Sequence, residues 1–208
     1  TQNTKSGNYE ITVVFGELEV TDRSEPFVVV VEANSGERVY NGQPFTVSGL
    51  KEATVARMAA RIDGQTVTFL LNGETYTISG LHAERTETHV NPAAPTDVDV
   101  LPYSGYEVAI TGTPVITDSE GNDVTKQFTV ETISGVLTIH PAPVTMVSGD
   151  ATKPYDGTEL INHEVTVEGF MEGEGASYDV TGTQTLVGSS ENAFTYTLNE
   201  GTQAQDYS

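Results

Sequence analysis

The sequence predicts a mostly β protein built from tandem antiparallel β modules, each an immunoglobulin-like sandwich or a β-grasp-like sheet, with one short helix inside an insertion. Three observations predict it. Short runs rich in Val, Thr, Ile and aromatic residues recur between Gly, Asn, Asp and Pro, the composition of half-buried strands bounded by turns. One Asn-Gly pair stands between two alternating segments, as in a two-residue hairpin. The chain also repeats itself at matching landmarks.

In chain order, Tyr9–Phe15 and Glu17–Val20 read as two strands bent at Gly16, followed by strands at Phe27–Val31 and Phe45–Val47. Val55, Met58, Ala59 and Ile62 fall at i, i+3, i+4 and i+7. That spacing predicts a helix with a core-facing Met and Ala stripe, stopped at Gly64. A hairpin comes next, because a type I′ turn needs positive φ at both central residues and Asn72-Gly73 supplies them. Its register pairs Leu71 with Glu74, Phe69 with Tyr76 and Val67 with Ile78, leaving one apolar face. Later strands fall at Val108–Ile110, Phe128–Ile133, Val136–Ile139, Val144–Val147, Val165–Val167 and Phe194–Leu198. The helix favours a β-grasp for its module; strand number and turn density favour a sandwich.

Self-comparison organises these elements. Val39-Tyr40-Asn41-Gly42 matches Pro154-Tyr155-Asp156-Gly157, and each precedes a strand ending in Gly and a large apolar residue, Val47–Leu50 and Val167–Phe170. Ile110-Thr-Gly-Thr113 matches Val180-Thr-Gly-Thr183, Phe128–Ile139 matches Tyr9–Val20, and Asp206-Tyr207-Ser208 matches Asn8-Tyr9-Glu10. Residues 1–22 thus read as closing strands of a preceding repeat, 23–141 as a complete repeat, and 142–208 as a repeat lacking its closing strands. From Gly42 to Thr111 is 69 positions, against 24 from Gly157 to Thr181. The complete repeat therefore carries an insertion of about 45 residues, near 51–95, that holds the helix and the hairpin.

Composition excludes several function classes. Nine basic residues against thirty acidic ones give a formal charge of −21, which repels nucleic-acid phosphates and anionic lipid. Without cysteine there is no disulfide scaffold, thiol chemistry or cysteine zinc site. No apolar run approaches the roughly 20 residues of a membrane-spanning helix. No Gly-x-Ser-x-Gly elbow occurs, and His82, His89, His140 and His163 lack metal-ligand spacing, so no catalytic or cofactor-binding residue is assigned. Asp118, Glu120 and Asp123 are weak calcium candidates, because their oxygens only loosely follow a calcium loop and no distal bidentate Glu follows. Tyr40, Gly42, Tyr155, Asp156 and Gly157 read as a structural motif in which Gly permits the turn and Tyr packs.

Lys153-Pro-Tyr-Asp-Gly-Thr158, Gly169–Ala176, Tyr178–Gln184, Val187–Ser190 and Phe194–Asn199 resemble the Tyr-Asp-Gly repeats, related to MBG-type repeats, of large bacterial cell-surface adhesins. The resemblance is close over 141–208 and 1–21. It is weaker over 26–140, where Asn41 replaces the Asp. It implies an extracellular protein of Gram-positive type, attached to the cell surface or wall through regions outside this stretch, with no cofactor and no established catalytic residues.

The expected function is therefore a non-catalytic stalk or spacer in adhesion, with neighbouring repeats as its partners. The alternative is an adhesin module that recognises a host glycan or protein through 51–95. The matching closing strands add one expectation: Tyr9–Val20 completes the sheet of 143–208 in another molecule, head to tail, or pairs with the neighbouring module in cis.

Overall fold

The computed structural model describes residues 12–19, 21, 24–92 and 105–208. The strands are β1 (Phe27–Ala33), β2 (Gly36–Val39), β3 (Phe45–Ser48), β4 (Leu50–Val55), β5 (Met58–Ala59), β6 (Arg61–Asp63), β7 (Thr66–Leu71) and β8 (Glu74–Glu87). They continue with β9 (Tyr106–Val108), β10 (Ile110–Thr117), β11 (Phe128–Ile133), β12 (Gly135–His140), β13 (Thr145–Ser148), β14 (Val165–Glu168), β15 (Ala176–Val180) and β16 (Phe194–Leu198). The described chain is mostly β, in several antiparallel sheets with a sandwich-like arrangement. Two pairings, β1 with β11 and β12 with β2, are parallel.

Alternation in β1 sets the core. Val29, Val31 and Ala33 are fully buried on one face, and successive strand side chains point to opposite faces. β1 lies between β11 and β4 in the sheet β11-β1-β4-β5. The second sheet runs β10-β8-β7-β6, with β3 on the far half of β8. One buried cluster joins both sheets, and Phe128 of β11 meets Phe69 at 5.6 Å and Tyr76 at 5.2 Å, both edge-on. Such aromatic pairs add about 0.5–1.5 kcal/mol beyond burial.

The hairpin has the expected register, with Leu71 opposite Glu74, Phe69 opposite Tyr76 and Val67 opposite Ile78. Asn72 and Gly73 have φ of 54° and 85°. Further along β8, Gly80 and Gly112 of β10 approach so closely that a Cβ on either would lie 2.1–2.3 Å from backbone oxygen. Both have positive φ, so the Thr-Gly-Thr motif marks a bulge at which the paired strands β8 and β10 approach closely.

The helix over Val55–Ile62 is not formed. Val55 ends β4, paired with Val29 of β1, and the chain reverses at Ala56-Arg57, with φ of 48° and 68°, into β5. Met58 is 51% exposed and Ile62 pairs with Val67, so the proposed stripe is divided between a solvent face and a strand edge. Eight residues of helical spacing form a marginal helix. The β-branched Thr54 and Val55 instead complete a ladder on an already buried strand. Without a helix between its strands, this module lacks the feature that favours a β-grasp.

Two further readings change. Thr12–Glu19 forms no strand and stands exposed, with Leu18 101% accessible; Tyr9–Ile11 and Val20 lie outside the described residues. Val47–Leu50 and Val167–Phe170 are not equivalent in pairing, because β3 pairs with β8 whereas β14 pairs with β13. The partner of β1 that corresponds to β14 is β4: Ala33 faces Leu50 as Ser148 faces Val165.

Residues 141–208 carry a thinner structure. β13 pairs with β14 and β15 with β16. A bridge from Leu160 to Gln184 joins them, as do Asn192 Nδ2 bonds to Gly149 O (3.0 Å) and Asn162 O (2.9 Å). Its buried apolar residues are Ala142 and Val165.

Candidate functional site

The Tyr-x-Gly turns occur twice with the same construction. Asn41 Oδ1 accepts from Gln43 N at 3.1 Å, and Asp156 Oδ1 accepts from Thr158 N at 2.9 Å. Each is an Asx turn closed by a glycine, with φ of 71° at Gly42 and 77° at Gly157. A cation two residues before each Tyr clamps the turn. Arg38 donates to Pro44 O (3.2 Å) and Lys153 to Glu159 O (3.1 Å), six residues on in both copies. Lys153 also donates to Asp156 Oδ1 (3.0 Å) and Thr158 Oγ1 (2.6 Å). Bonds from the Thr158 backbone, then from Lys153, hold the Asp156 carboxyl at about 2. The paired cation was not recognised in the sequence, although carrying the self-comparison two residues upstream finds it.

The two tyrosines differ in surroundings. Tyr155 is 64% exposed, whereas Tyr40 is buried where the two parts of the chain meet. There the Tyr40 hydroxyl donates to Glu174 Oε1 at 2.5 Å, and the Tyr207 hydroxyl donates to Glu174 Oε2 at 2.6 Å while accepting from Met171 N at 3.1 Å. The Tyr40 ring stacks on His89 (centroids 5.9 Å apart) and meets Tyr207 edge-on at 5.5 Å. Burial first, then the bond to Glu174, pushes Tyr207 up to about 12 and Tyr40 well above its ordinary value. Both phenols stay protonated as donors to one carboxylate.

Asp206 completes this junction. It is fully buried and accepts from His89 Nδ1 and from Val90 N, each at 2.7 Å. A carboxylate acceptor assigns the imidazole proton to Nδ1. Asp206 ends the 3-10 turn Ala204–Asp206, and the chain then pairs Tyr207 with Ala142 in parallel. The same order recurs in the larger part, where the 3-10 turn Thr125–Gln127 precedes Phe128, which pairs in parallel with Phe27. β12 ends at His140 and this pairing begins at Ala142, so Pro141 alone separates the two parts.

Of the other sequence candidates, Asp118 Oδ1 accepts from Glu120 N (3.0 Å) and Asn122 N (2.8 Å), and Asp123 Oδ1 from Thr125 N (2.9 Å). Asp118 and Asp123 thus cap their own hairpin turn, whereas Glu120 contributes its backbone N–H. Among the described residues no group of three or more His, Asp or Glu side chains could hold a metal ion. His82 contacts Gln65 and His140 contacts Glu37. Within 51–95 the inner faces of β4, β7 and β8 supply Val55, Val67, Phe69 and Ile78 to the core. No described helix is long and apolar enough to cross a membrane.

A groove of about 340 Å³ opens in the smaller part between Gly149–Tyr155 and Gly182–Asn192. It is flanked by the exposed side chains of Tyr155, Leu186 and Val187. Set against protein-family models, curated proteins and solved structures, the chain matches none.

Proposed function

We propose that this chain is a non-catalytic, extracellular repeat segment of a bacterial surface protein, serving as a stalk or spacer in adhesion with neighbouring repeats as its partners. The observation that carries the reading is the junction. A spacer transmits position only if consecutive units are held in fixed orientation. Here a buried carboxylate, two tyrosines sharing a second carboxylate, and a one-residue connection hold them. The junction's titratable groups are satisfied by one another, an arrangement suited to structure. The strong negative charge keeps such a surface well solvated.

The test is reach. Inserted between a bead-bound anchor and a binding head of known ligand, the chain should extend the capture distance. The Asp206→Ala variant should extend it with a broader spread. Equal spread in both variants would remove the basis for a spacer. Specific binding of the chain alone to one member of a glycan and matrix-protein panel would favour recognition.

A further inference from the structure

We infer that the larger part is a mechanical clamp, in which 27–39 and 128–140 bear tension along the chain as one parallel ladder loaded in shear. Its use in the protein rests on the spacer reading, because a stalk is pulled along its length. The clamp itself rests on strand topology, so a force measurement and a reach measurement fail separately.

β1 and β2 form one nearly continuous run, and β11 and β12 form another. The two runs lie side by side in parallel. β1 pairs with β11 from Phe27 opposite Phe128 to Glu32 opposite Ile133. β2 pairs with β12 from Gly36 opposite Leu137 to Val39 opposite His140. The offset is 101 positions in both stretches, so the register survives the bend between them. Contacts bridge the bend itself. Val136 N donates to Ser35 Oγ at 3.0 Å, and Gly135 packs so closely that a Cβ there would lie 1.9 Å from Asn34 O. Past the last strand pair, Tyr40 N donates to His140 O at 2.8 Å.

Direction decides how such a ladder fails. Phe27 opens the first run at one end of the ladder, and His140 closes the second run at the other. Tension entering through Pro26 and Pro141 therefore slides the runs past each other along the strands. The inter-strand bonds are then loaded together, and none of them can open ahead of the rest. Pulling the two strand starts apart would instead break them one after another from a single end. Each such bond is modest on its own, so sharing the load is what makes the ladder strong. Burial adds to the effect. Val29, Val31, Leu137 and Ile139 are buried beneath the ladder, which keeps water from competing for its bonds. β4 and β9 hold the remaining edges of β1 and β12.

The experiment uses the whole chain held in optical tweezers. The chain has no cysteine, so introduced pairs fix the direction of pull. Handles on Ser24→Cys and Pro143→Cys load the ladder in shear. Handles on Ser24→Cys and Lys126→Cys peel it from the strand starts. All three positions are exposed, so the handles leave the ladder intact. Forced unfolding is set by the unfolding barrier, so the shear pair should yield in one step at roughly twice the force of the peeling pair or more. Ser35→Ala should lower the shear force and leave the peeling peak unchanged, because peeling reaches Ser35 late. Equal or lower force in the shear pair overturns the inference. So does a shear force that Ser35→Ala leaves unchanged, which would divide the ladder into two unlinked halves. Failure of the reach test with the force contrast intact would remove the spacer reading and leave the clamp standing.

Discussion

Replacing Asp206 with Ala removes the acceptor for two hydrogen bonds of 2.7 Å and leaves Val90 N–H buried without a partner. A hydrogen bond to a charged group contributes about 1.5–3 kcal/mol. The His89 half is discounted because that side chain is 39% exposed and screened by solvent. The expected loss is therefore about 2–4 kcal/mol, the larger share from Val90. Asp206→Asn retains an oxygen for Val90 N and should lose about half as much. Urea unfolding would measure the totals, and native-state hydrogen exchange would read the Val90 amide directly. Because the smaller part buries little apolar surface of its own, protease cleavage within 141–208 should also accelerate in Asp206→Ala. An unchanged unfolding midpoint with unchanged Val90 exchange would refute the junction as a source of stability.

Other expectations follow from the same structure. Gly112→Ala forces a Cβ to within 2.1 Å of Gly80 O at a φ of 95° and should cost about 3 kcal/mol or more. Gly121→Ala, at a φ of 87° in open space, should cost about 1 kcal/mol; equal losses in urea would contradict the close approach of Gly112 to Gly80. Asn-Gly in place of Ala56-Arg57, which both hold positive φ, should stabilise by about 1 kcal/mol, and a lower midpoint would refute that turn. Asp156, with its carboxyl at about 2, contributes stability present above the ordinary carboxylate range and lost as pH falls from about 4 to about 2. An NMR titration should show the low midpoint and a rise in Lys153→Met; an ordinary midpoint would refute the clamp. Tyr207, raised to about 12, contributes stability present below pH 10 and lost between about 10 and 12. Phenolate absorbance should show Tyr207→Phe removing a late-ionising group, and no such change would contradict its burial.

Local chemistry made some of this legible in the sequence and not the rest. Asn72-Gly73 fixes a hairpin because its turn and register need only neighbouring residues. The Tyr-x-Gly motif was legible as a turn for the same reason. Val55–Ile62 misled because its helical spacing also fits strand, turn and strand, and pairing with β1 decides between them. The β3 and β14 match misled because similar residues pair with different neighbours. The junction was illegible altogether. Asp206 meets His89 across 117 positions and Tyr40 meets Glu174 across 134, with no local pattern announcing either contact.

The most direct test of the central claim is a set of residual dipolar couplings on the chain lacking residues 1–21, fitted separately for 24–140 and 141–208. A fixed junction predicts one alignment tensor for both parts, and a split into two in Asp206→Ala. Two independent tensors in the unsubstituted junction would contradict the account.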